Sequence, residues 1–94
     1  MLDPYPASLG ELVASLRLLA AREPHTNDDL RALERECMSL ALNTQRSSLC
    51  NRVPEIVWHF LSDADIRFRD VEYARVQTAS LLAALAGMEQ RGEA

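Results

Sequence analysis

The sequence predicts an all-α protein: a small single-domain antiparallel helical bundle of four main helices, the third short and central. Three observations carry that prediction. Apolar residues recur at spacings of three and four along most of the chain, the pattern that lines one face of a helix. Helix-capping residues stand at the segment boundaries. No segment alternates apolar and polar residues as a half-buried strand does, and no Asn-Gly or Asp-Gly hairpin turn occurs.

The first helix is expected after the extended Pro4-Tyr5-Pro6, where Ser8-Leu9-Gly10-Glu11 has the form of a capping box. Leu9, Leu12, Val13, Leu16, Leu19 and Ala20 form its apolar face, and Glu23-Pro24 ends it, because proline disfavours helical geometry in the residue before it. Thr26-Asn27-Asp28-Asp29 caps the second helix, with carboxylates in the first turn where the helix dipole favours them. Its stripe is Leu30, Leu33, Cys37, Leu40 and Ala41, widened by Met38 and Leu42, and it is expected to run to about Arg46. The third helix follows Asn51-Arg52-Val53, with Pro54 at its first position. Ile56, Val57, Trp58, Phe60 and Leu61 are apolar on most sides, so this segment is expected at the centre with the Trp58 ring buried. Residues 63–70 read as a short turn of helix or an irregular link. Asp70 caps the last helix, whose stripe is Val71, Ala74, Thr78, Leu81, Leu85 and Met88, widened by Leu82. A chain of 94 residues supports one core, so residues 1–94 are read as one domain, with 1–7 an extended lead-in and 90–94 a frayed tail. Short connections place consecutive helices side by side and antiparallel.

Composition narrows the function. Hydrophobic residues make up 48% of the chain and charged residues 26%, which suits a soluble globular protein. The formal charge is −4, so this acidic chain is not expected to bind nucleic acid, which requires a basic patch to displace phosphate counterions. All ten basic residues are arginine, which excludes lysine-dependent phosphate loops and Schiff-base chemistry. The start of the chain lacks the basic and apolar regions of an export signal, and the stretch from Ala79 to Met88 is about half a bilayer span. A cytoplasmic protein without membrane contact is expected, its Cys37 and Cys50 reduced.

One constellation could carry chemistry. Glu55, His59 and Asp63 recur every four residues, so a continuous helix would align them on one line. A histidine between two carboxylates is a possible general base or metal ligand; the plainer reading is the solvent edge of a buried helix. No Cys-x-x-Cys or matched His pair suggests zinc, and no glycine-rich phosphate cradle is present. No cofactor is expected.

A second feature is the concentration of Trp58, Arg67, Phe68, Arg69, Tyr73 and Arg75, residue types enriched at interface hot spots. The plainer reading makes the aromatics core and pairs the arginines with nearby acids. The favoured function is a small protein-interaction module (an adaptor, regulator or inhibitor) with a protein partner, including a homodimer through the last helix, where Ala79, Ala83, Ala84 and Ala86 add a second apolar face. The alternative is a small all-α enzyme or metal-binding protein using His59 with Glu55 or Asp63.

Overall fold

The computed structural model describes residues 8–90; the lead-in and most of the tail expected from the sequence lie outside them. Five α-helices and one short 3-10 turn make up the regular structure: α1 (Leu9–Ala20), α2 (Asn27–Gln45), the turn (Cys50–Arg52), α3 (Glu55–Ser62), α4 (Ala64–Arg69) and α5 (Val71–Gln90). Among the described residues there is no strand, and no helix is long and apolar enough to cross a membrane.

Local chemistry sets most of the boundaries. Glu11 N–H donates to Ser8 Oγ at 3.2 Å, and Asp29 N–H to Thr26 Oγ1 at 3.0 Å, so both hydroxyls satisfy a first-turn donor. Tyr73 N–H donates to Asp70 Oδ1 at 3.0 Å, which starts α5 directly after α4. α1 stops at Ala20, short of Glu23-Pro24, as Arg22 N–H turns back to the Leu19 carbonyl at 3.2 Å. Pro54 stands one position outside α3 with ψ of 151°, as its N-cap rather than its first helical residue. The 63–70 segment resolves into α4, separated from α3 by Asp63.

The core gathers one apolar face from each long helix. Leu9, Leu12, Val13, Leu16 and Leu19 of α1 join Leu33 and Cys37 of α2, Val57, Phe60 and Leu61 of α3, and Leu81, Leu85 and Met88 of α5. Leu49, between α2 and the 3-10 turn, is buried with them. α1 packs chiefly on α5, and α2 on α3 and α4, so α1 and α2 are not the close pair that their short connection suggested. A groove of 770 Å³ opens between α1 and α2 instead, lined by Leu18, Leu19 and Leu40, with the ion-paired Arg22 and Glu36 in its wall.

Several side chains depart from the expected stripes. Met38 and Leu42 are exposed and do not widen the α2 face. Val71 is 84% exposed, because the first turn of α5 lies beyond the apolar cluster, and Leu82 is also largely outside it. Trp58 is half-buried while Phe60 fills the central place, so the sides of α3 are not equivalent although its sequence is apolar nearly all round. Two polar residues, Thr44 and Gln77, occupy buried positions that periodicity did not assign to them.

Candidate functional site

The expected line of Glu55, His59 and Asp63 divides at the end of α3. Glu55 and His59 stay on one face as a 3.4 Å pair with side chains 85% and 60% exposed. Asp63 leaves the helix with φ of −108° and ψ of 21°, and its carboxylate is held by α5. The break thus separates the third member from the other two in bonding, although His59 still acts on Asp63 through its charge. Among the described residues no group of three or more His, Cys, Asp or Glu side chains is placed to hold a metal ion.

Asp63 belongs to a different assembly, one built around Arg67. Tyr73 Oη donates to Asp63 Oδ2 at 2.6 Å, and Gln77 Nε2 donates to the same oxygen at 2.8 Å. Arg67 Nη1 donates to Gln77 Oε1 at 2.7 Å and to the Phe60 carbonyl at 2.6 Å. The guanidinium also lies 3.7 Å from the centroid of the Phe60 ring, a cation–π geometry. Gln77 is the hinge of this network: its amide oxygen accepts from the cation while its amide nitrogen donates to the anion. At 7% exposure it meets its hydrogen-bonding needs within the protein, its amide nitrogen also donating to Tyr73 Oη at 3.2 Å.

The electrostatics follow from these contacts. Burial alone would raise the Asp63 carboxyl, yet the bonds from Tyr73 and Gln77, with the charges of His59 and Arg67, hold it below the usual carboxylate value. The bond to Asp63 raises the Tyr73 phenol above its ordinary value, helped by burial. Burial pulls Arg67 below the usual arginine value, against the opposing influence of Cys37 and Asp63. Cys37 is buried beside this cation, and burial pushes its thiol up despite the Arg67 charge. A thiol so held is mostly protonated at neutral pH and a poor nucleophile.

The aromatic–arginine group therefore separates by depth. Arg67 and Tyr73 are half-buried and face inward into the network. Arg69 and Arg75 are exposed and sit beside Asp65 and Glu72 on their own helices. Trp58 and Phe68 keep part of their surface open. Sequence reasoning missed Gln77, since a glutamine in a helix carries no sign that it will be buried. The one available hint was its position, four residues before Leu81 on the face that leads into the apolar stripe.

Protein-family models, curated proteins and solved structures were all compared with the chain, and none matches it.

Proposed function

We propose that this chain is a protein-interaction module whose recognition surface lies on α3 and α4. The observation that carries the reading is Trp58 and Phe68, partly exposed on two short helices that the Arg67 network ties to α5. Large aromatics on a rigid support lose little conformational entropy on binding, which is why such residues dominate interface energies. Arg69, exposed on α4, adds a charged donor next to Phe68 in sequence. The partner is a protein surface with an apolar recess for an aromatic ring and a carboxylate for Arg69.

This reading takes precedence over the catalytic one because, of the two carboxylates a His59-centred site could recruit, Asp63 already accepts hydrogen bonds from Tyr73 and Gln77, and Glu55 meets His59 as an exposed surface pair. Affinity capture from native lysate should compare the unmodified protein with Trp58→Ser and Phe68→Ser, each checked for helical circular dichroism. The reading expects at least one protein retained by the unmodified chain and lost with both variants. An identical set of captured proteins for all three would overturn it.

A further inference from the structure

We infer that the outward face of α5 pairs two copies of this chain, antiparallel about a two-fold axis near Leu82, with Arg75 of each copy against the partner's Glu89. This face uses none of the α3–α4 aromatics, so the inference goes beyond the interaction reading and does not depend on it.

The face is defined by what α5 leaves uncovered. Leu81, Leu85 and Met88 are buried, whereas Val76 at 50% and Leu82 at 37% are open to solvent, with Ala79, Ala83 and Ala86 exposed beside them. Ala84 is half-buried, so it belongs to the flank of the core and not to this second face. Arg75, Ala79, Leu82, Ala86 and Glu89 follow one another at intervals of four and three, the spacing of a two-helix seam. The alanines present little bulk along that seam, which lets two helix backbones approach.

Charge selects the occupant and its direction. No ionisable side chain interrupts α5 from Val76 to Met88, and the run is bounded by a cation at Arg75 and an anion at Glu89. Two copies in parallel register would set Arg75 against Arg75 and Glu89 against Glu89. Antiparallel copies centred on Leu82 set each arginine against a glutamate, since both lie seven residues from the centre. Within each copy Glu89 already pairs with Arg17, and Arg75 with Glu72. The antiparallel dimer extends these pairs into alternating chains of four charges, one at each end of the seam. A single helix pair covers less than the roughly 800 Å² per partner of a standard interface, so the dimer is transient and concentration-dependent.

Sedimentation equilibrium of the full chain from about 10 μM to about 1 mM tests this, over the range where transient pairs form. The unmodified protein should pass from monomer to dimer. Ala83→Glu, a charge on an exposed position, should stay monomeric with its helical content and melting curve retained. Arg75→Glu should weaken association by about tenfold, because two symmetry-related attractions become repulsions. Arg75→Glu combined with Glu89→Arg should restore it, a rescue that loss of folding could not produce. A monomer at 1 mM overturns the inference while leaving the α3–α4 reading untouched. A dimer indifferent to both Ala83→Glu and Arg75→Glu overturns it as well, by placing the contact on another face.

Discussion

The two halves of α5 are tied to the rest of the protein by opposite chemistry. Towards the C-terminus, Leu81, Leu85 and Met88 share an apolar cluster with Leu9, Leu12 and Leu16 of α1. Towards the N-terminus, Tyr73 and Gln77 bind Asp63 and Arg67 through directed hydrogen bonds. The apolar contact is non-directional, scales with area and is indifferent to pH. The polar contact requires each donor to meet its acceptor, and a missing partner costs more than a made bond contributes. One helix is thus anchored by bulk at one end and by geometry at the other, and the two ends should fail under different conditions.

Phe60 lies where the two chemistries meet, as a core side chain whose ring and carbonyl also receive Arg67. Phe60→Ala should therefore cause the largest loss, about 3–5 kcal/mol by urea unfolding, with Trp58→Ala costing about half as much because its ring is only half-buried. Equal losses would mean that the two sides of α3 are equivalent after all. Gln77→Leu keeps the volume but removes one hydrogen-bond partner from Arg67 and one from Asp63, leaving the Phe60 carbonyl and Tyr73 as their remaining partners, and should cost about 1–3 kcal/mol in the same measurement. A neutral result would show that the network orients α4 without stabilising it.

Acid should separate the regions without any substitution at the apolar end. The Asp63 carboxyl lies lower in the folded protein than in the unfolded chain, where the ordinary value is 3.8. Between those values the unfolded state holds more protons, so this contribution is present above the ordinary value and is lost as pH falls through the folded one. Tyr73 gives the mirror image, since its raised value makes its contribution fade as pH climbs above about 10. Unfolding curves of the unmodified protein and Asp63→Asn should diverge above pH 4 and converge at lower pH; parallel curves would remove Asp63 from the account.

Thr44 offers the converse case, a buried hydroxyl Oγ1 that finds no hydrogen-bond partner. Thr44→Val removes that uncompensated group at nearly constant shape and should raise stability by about 1 kcal/mol, measured as a higher urea midpoint at unchanged slope. The smallest effect concerns the thiols, where a small reagent should modify half-buried Cys50 before buried Cys37. Rapid labelling of Cys37 would mean that α2 opens readily on the side facing Arg67.

The expected stripe of α1 and the capping residues Ser8, Thr26 and Asp70 were legible because both depend on neighbours three or four residues away in the chain. Of the α5 stripe, Leu81, Leu85 and Met88 are buried as the spacing predicts, whereas Val71 and the widening Leu82 fit the same pattern and stay exposed. The polar line was legible as a spacing and not as a site, because its alignment required α3 to continue through Asp63. Ser62 Oγ donates to the Trp58 carbonyl at 2.9 Å, and the backbone turns at the next residue, so the third carboxylate leaves the line. Phe60 and Trp58, two residues apart, both fitted a central helix by composition, and their different depths follow from which side of α3 the neighbouring helices cover.

The sequence by itself determined the helical class, the caps at Ser8, Thr26 and Asp70 and the residues available for a core, since these follow from interactions within about one helical turn and from apolar periodicity. Tertiary structure decided that α1 rests on α5 and leaves a groove beside α2. It also decided that Gln77 enters the interior and that Asp63 answers to Tyr73 and Gln77. Those outcomes join residues ten to more than sixty positions apart in the chain. A hydrogen bond across such a separation depends on where whole helices come to rest, and no local pattern encodes that placement.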